Sequence, residues 1–273
     1  MLTWWDVLFL SVLEGITEFL PVSSTGHMIV AADLMGMDVS PALDSFMVII
    51  QVGAILGVIT AYRETFMNWL KSWMKIVRPG IDQDQPAYHR RYSLLIAFAV
   101  IPFGLIGFLN RDFIKSLFNP GTVAIALIVG GVIILLESLL TKKEVLQKER
   151  VKEDFHMKDA FLIGFGQCLS LWPGFSRAAA TLLAARFTGY SRPAAAELSF
   201  LIGLPTILGT GAYEMTSIEW NAQMLPQIFI GCLLSWLIAF FSVKWLVAFL
   251  QKYSLNVFGW YRIAMGALIL LLV

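Results

Sequence analysis

Six apolar stretches, at roughly 43–62, 92–109, 122–140, 194–213, 225–247 and 255–273, approach the ~20 residues that carry a helix across a bilayer. A chain built this way must satisfy every backbone polar group internally, and helices do so segment by segment. The expected fold class is therefore an all-α polytopic integral membrane protein. Composition agrees. Of 273 residues, 58% are hydrophobic and 14% charged, where a soluble domain carries about 25% charged residues. This excludes a water-soluble enzyme. The net charge of +1 gives no basic surface for nucleic acid. Cys168 and Cys232 sit in apolar runs and read as small buried hydrophobes.

Two further apolar regions are interrupted at their centres. Region 3–37 holds Glu14, Glu18, Pro21, Ser23, Ser24, Gly26 and His27; region 159–188 holds Pro173, Gly174, Ser176 and Arg177. Each divides into two short helices around a Pro/Gly/Ser break. Broken helices persist at membrane depth only where protein or a cavity surrounds them. Both regions read as re-entrant hairpins, giving about ten helices in a single membrane domain, 1–273. Thr3 and Asp6 mark the first helix start.

Sixteen of the 20 Lys and Arg residues fall on one side if the hairpins return to the side they entered. They cluster in loops 63–91 and 141–158, whereas loop 110–121 has only Arg111 and Lys115. The basic side is cytoplasmic, which places both termini outside. An internal repeat accompanies this pattern. Ser45-Phe46 through Ala61-Tyr62 resembles Ser199-Phe200 through Ala212-Tyr213, and Pro21-x-x-Ser24 resembles Pro173-x-x-Ser176. Repeat one covers about 1–110 and repeat two about 159–273, joined through a charged, solvated linker at 141–158. Interlocked inverted repeats with discontinuous helices carry a binding site near the midplane.

The chemistry concentrates at the two breaks. Glu14 and Glu18 lie at i and i+4 on one helix face. Two carboxylates in the membrane need a proton or a cation, and a divalent metal is the simplest partner. A new helix starts at Ser23 or Ser24, and its N-terminus suits an anion. Thr25 adds a hydroxyl, and His27 lies in that first turn. In the second break Ser176 starts another helix, Arg177 offers a fork for phosphate, and Thr181 follows one turn later. Arg177 could instead pair with Glu14 or Glu18. If the two tips meet, an anionic ligand, a cation, a nucleophile and a base are all provided for.

Glu14-Gly-x-Thr-Glu-Phe-Leu-Pro-Val-Ser-Ser-Thr-Gly-His27, then Pro173-Gly-Phe-Ser-Arg177 and later Glu197-x-Ser-Phe-Leu201, resemble the undecaprenyl-diphosphate phosphatase (bacitracin-resistance, BacA/UppP) family over nearly the whole chain. The resemblance implies a metal-dependent phosphatase of the bacterial inner membrane, open to the outer face. It would convert undecaprenyl (C55 polyprenyl) diphosphate to the monophosphate, recycling the lipid carrier for peptidoglycan synthesis and giving bacitracin resistance. It further implies that Glu14 and Glu18 hold a Mg2+ or Ca2+ ion. Ser24 would be the nucleophile and His27 its base, while Ser23, Thr25, Ser176, Arg177 and Thr181 would bind phosphate. The expected partners are the polyprenyl diphosphate, membrane lipids and a second copy in a homodimer. One departure is visible: Ala178-Ala179 stand where the family carries Ser-Gly, which removes one hydroxyl. Nucleophilic attack by His27 or by water remains open, as does a polyprenyl-phosphate flippase using the same anion site.

Outside the site, Arg262 is expected to pair with Glu197, and Glu137 to lie at the interface near a cytoplasmic helix end. Lys142 and Lys143 are expected near lipid headgroups.

Overall fold

The computed structural model describes residues 2–37, 40–77, 86–141, 149–217 and 224–272. Among these, the chain forms twelve α-helices: α1 Trp4–Thr17, α2 Ser24–Leu34, α3 Pro41–Ala61, α4 Arg63–Val77, α5 Pro86–Leu109, α6 Arg111–Ser116, α7 Pro120–Thr141, α8 Met157–Gln167, α9 Arg177–Phe187, α10 Arg192–Ser217, α11 Met224–Lys252 and α12 Asn256–Leu272. Thr3 caps α1 through a reciprocal box, with Asp6 N donating to Thr3 Oγ1 at 3.2 Å and Thr3 N to Asp6 Oδ2 at 2.7 Å. Such reciprocal bonds satisfy amides that a helix start leaves free.

Among the described residues, five helices are long and apolar enough to cross a membrane: α3, α5, α7, α10 and α11. The sixth expected span is α12, whose 17 residues rise ~26 Å, slightly less than a hydrocarbon core. The interrupted regions form α1–α2 and α8–α9. Their arms have 14 or 11 residues, so each rises only ~16–21 Å.

The most extensive helix pairs are α3 with α11 and α7 with α12. Small residues permit both approaches. Gly53 and Gly57 lie against the backbone of Cys232 and Trp236, and Gly131 against the carbonyl of Gly259. This is the packing expected in lipid, where close backbone approach replaces hydrophobic expulsion from water as the attraction.

Several expectations are corrected. Loop 63–91 contains a helix, α4, docked on α5 through Trp69 and Tyr92, whose ring centroids lie 5.9 Å apart. Met67, Leu70 and Met74 remain exposed along α4, so apolar and basic residues alternate on one amphipathic element. Arg262 does not pair with Glu197. Glu197 binds Lys152 at 2.5 Å, and Arg262 is wholly buried among carbonyls. Glu137 is not interfacial either: it is fully buried and bridges Arg186 at 2.7 Å. A buried carboxylate needs such a partner. The described part of the linker is also packed rather than merely solvated. Arg150 pairs with Asp159 at 2.6 Å and exchanges backbone hydrogen bonds with Gly189 and Ser191. Lys142 and Lys143 lie outside the described residues.

Candidate active site

Both broken regions restart in the same unusual way. Ser23 and Ser176 are the N-caps of α2 and α9, and their hydroxyls accept from Gly26 N and Ala179 N. Their backbones have φ 75° and 74°, a region that costs a non-glycine residue about 1–3 kcal/mol. These are the only positive-φ non-glycine residues described. The caps align Ser23 with Ser176, one residue away from the Ser24–Ser176 match of the sequence repeat. Ser24 and Arg177 therefore occupy the same position, the first residue of each restarted helix.

Those two residues converge on one carboxylate. Ser24 Oγ donates to Glu18 Oε2 at 2.5 Å, and Arg177 Nη2 donates to Glu18 Oε1 at 2.7 Å. Arg177 is thus tied to Glu18, the pairing that the sequence left open. Its other arm donates to the Ser199 carbonyl at 3.3 Å, its guanidinium lies 5.9 Å from the Phe19 ring, and Gly203 leaves the space it occupies. Any side chain at 203 would collide with that guanidinium.

Glu14 lies one turn before Glu18 and is completely buried, with neither carboxylate oxygen hydrogen-bonded. A buried carboxylate without a partner is costly, so this position calls for a proton or a cation. The donor set fits a hard divalent ion. Glu14 offers two free oxygens, and Glu18 retains lone pairs, since a carboxylate provides about four acceptor sites. Phosphate and water oxygens would complete the usual six or more ligands.

His27 stands apart from this pair. Its Nδ1 lies 2.7 Å from the Ser23 carbonyl, an acceptor, so Nδ1 carries the proton. Nε2 then accepts from the Tyr261 hydroxyl at 2.5 Å in the neutral ring, and the two rings are near parallel at 4°. The expected Ser24–His27 hydrogen bond is absent among the described residues, because both ring nitrogens are already engaged.

The remaining candidates divide. Ser23 and Ser176 serve as caps. Thr181 is buried and shares a 2.6 Å hydrogen bond with Ser199 Oγ, while its hydroxyl also reaches the Arg177 carbonyl at 2.8 Å. It supports the Arg177 turn. Thr25 is half-buried and joins none of these hydrogen bonds. Ala178 and Ala179 are buried in the first turn of α9. The Ala178 carbonyl accepts from Ser199 Oγ at 3.2 Å.

The sequence reading missed Tyr261 and Ser199. A hydroxyl beside Arg262 in an otherwise apolar helix was the available sign for the first. The second stood in the repeat itself, at Ser199-Phe200. Arg262 joins the two breaks: Nη1 donates to the Pro21 carbonyl and Nη2 to the Gly174 carbonyl, each at 3.1 Å. It also reaches the carbonyls of Ala126 and Leu127. Gly174 has φ 94°, and a Cβ there would strike the Val123 backbone, so this acceptor position requires glycine.

Comparison with known proteins places these features in a family. The sequence model described as bacitracin resistance protein BacA matches residues 7–268. Undecaprenyl-diphosphatase 3 of Acinetobacter baylyi is 41% identical over 270 residues, covering 96% of this chain and 95% of its own. The undecaprenyl-diphosphatase of Sorangium cellulosum is 39% identical over 276 residues, covering 98% and 85%. That of Psychrobacter is 38% identical over 270 residues, covering 96% and 92%. The chain, a multi-pass membrane protein, belongs to the bacitracin resistance protein BacA family.

Proposed function

We propose that this chain is an undecaprenyl-diphosphate phosphatase, removing the terminal phosphate of the C55 lipid and returning the monophosphate to cell-wall synthesis. The observation that carries the reading is the bridging of Ser24 and Arg177 by Glu18. A hydroxyl already donating to a carboxylate, beside a guanidinium, is the arrangement that phosphoryl transfer needs. Names of the relatives support the same substrate. Bacitracin resistance follows if recycling proceeds in the presence of that drug.

In this mechanism the diphosphate enters with its tail remaining in lipid. Arg177 turns part of its fork from Glu18 to the terminal phosphate. Ser24 Oγ attacks the terminal phosphorus as its proton passes to Glu18. The bond to the bridging oxygen breaks, and polyprenyl monophosphate leaves, a stable anion needing no proton from the protein. Water then hydrolyses the phosphoserine. As water attacks, His27 Nε2, released from Tyr261, takes its proton, the bond between phosphorus and Ser24 Oγ breaks, Glu18 returns its proton to Ser24 Oγ, and inorganic phosphate departs. Glu18 thus takes the first proton that the sequence reading assigned to His27. Glu14 and Glu18 would hold a Mg2+ or Ca2+ ion, which supplies positive charge against the phosphates.

The finer topology belongs to the same proposal. Two re-entrant hairpins lie within inverted repeats in the bacterial inner membrane, with the site open to the outer face and both termini outside. The short arms and the matched serine caps support it.

The test is phosphate release from the C55 diphosphate by purified protein, with and without EDTA, compared with Ser24→Ala. The expected result is metal-dependent release that Ser24→Ala abolishes. Full release by Ser24→Ala overturns the assignment of the nucleophile. Absence of release from folded wild-type protein, with lipid movement across vesicles intact, selects the flippase reading.

A further inference from the structure

Away from the active site, a cavity of about 490 Å3 opens where α3 passes into α4 and faces α11. Thr60, Tyr62, Thr65, Arg63 and Lys244 contribute three hydroxyls and two cations to its wall. Neither Arg63 nor Lys244 has an ion-pair partner among the described residues. The neighbouring acid, Glu197, is neutralised by Lys152 at 2.5 Å. Glu64 also borders the cavity, which leaves its formal charge at +1.

The surroundings are apolar and exposed. Lys244 lies over the Phe240 ring at 4.0 Å, and Phe241 and Trp245 flank it in sequence with 61% and 51% of their surface exposed. Met67, Leu70 and Met74 stand exposed on α4. The cavity therefore meets a surface suited to acyl chains, at the helix ends that carry the Lys/Arg-rich loops. A row of tilted and edge-on rings separates it from the active site. Tyr62 lies 6.2 Å from Phe200, and Phe200 lies 5.6 Å from Phe19, the ring beside Arg177.

We propose that this cavity is a second lipid site, which binds the phosphodiester headgroup of an anionic phospholipid from the cytoplasmic leaflet. Arg63 and Lys244 neutralise the phosphate, Thr65 donates a hydrogen bond, and the acyl chains lie along Phe241 and Trp245. Basic pockets between membrane helices on that side commonly take such headgroups. A free phosphate shares the charge but has nothing to place on the aromatic flank, so the lipid is the favoured source.

The test is native mass spectrometry of the full chain in detergent, titrated with phosphatidylglycerol, phosphatidylcholine, or phosphatidylglycerol plus millimolar inorganic phosphate. Wild-type protein should retain phosphatidylglycerol at least about tenfold more tightly than Arg63→Gln/Lys244→Gln. Phosphatidylcholine should bind both weakly, and inorganic phosphate should not displace the lipid. Arg63→Lys/Lys244→Arg should restore retention, which separates lost charge from lost fold. Equal retention by the neutral double variant overturns the proposal. Displacement of the lipid by inorganic phosphate overturns the lipid assignment and makes soluble phosphate the ligand. Hydrolysis of the C55 diphosphate serves as a folding control, since neither residue touches the Glu18 network.

Discussion

The hydroxyl of Tyr261 reaches His27 Nε2 at 2.5 Å while the two rings lie nearly parallel. Helix α12 thereby fixes the orientation of a residue on α2, and the Ser23 carbonyl fixes its tautomer from the other side. Ring orientation and tautomer are properties that a catalytic histidine must have set for it. Tyr261→Phe should lower kcat about threefold to tenfold, the value of one hydrogen bond, with little change in KM. Adding Tyr261→Phe to His27→Ala should cost nothing further. Steady-state kinetics on the four proteins of that cycle check this.

Arg262 gives a stability prediction. Replacing it with Met leaves the carbonyls of Pro21, Gly174, Ala126 and Leu127 without this donor. The expected cost is about 1–3 kcal/mol for each carbonyl left unsatisfied, partly offset because the arginine's own burial cost disappears. Arg262→Lys should recover only part of it, because an ammonium does not span the planar fork. Thermal unfolding in detergent measures both.

Glu14 predicts a trade between stability and activity. Its carboxylate is buried without a partner, so Glu14→Gln should raise the melting temperature in EDTA, by about 2–4 °C for each kcal/mol recovered. Saturating Mg2+ or Ca2+ should stabilise the wild type and remove the difference. Phosphate release should fall at least a hundredfold in the variant. A wild type unmoved by either ion in thermal unfolding would count against the cation site.

Gly203 tests the placing of Arg177 without touching a charge. A methyl at 203 would overlap the guanidinium. Gly203→Ala should push Arg177 from Glu18, raise KM for the diphosphate roughly tenfold as a charge-assisted contact is lost, and leave the helices intact by circular dichroism.

The long helices were legible because apolar length is a one-dimensional signal. The 17-residue α12 and the amphipathic α4 were harder. The first ends near the minimum span, and the apolar and polar faces of the second average out along a window. Serine at both helix restarts was also readable, since a hydroxyl after a Pro break has few other uses. Its register was not: the matched caps and the shared φ near 75° show that Ser23, and not Ser24, is the counterpart of Ser176. Charge partners were the least legible. Arg262 and Glu137 needed partners, but residues more than 40 positions away supplied them, and sequence order says nothing of that distance; the Arg177–Glu18 pair was one of the alternatives that the sequence offered.

The positions of those partners bear on how the protein is made. Glu18 waits 159 residues for Arg177, and the Pro21 carbonyl waits 241 residues for Arg262. During synthesis the first hairpin must therefore leave the ribosome with both carboxylates unneutralised by any arginine of the finished fold. It must remain near the aqueous path of the insertion machinery, or carry protons, until α9 and α12 arrive. Maturation is thus gated by the synthesis of α12, and a nascent chain halted before residue 262 should still be open to cleavage between α1 and α2.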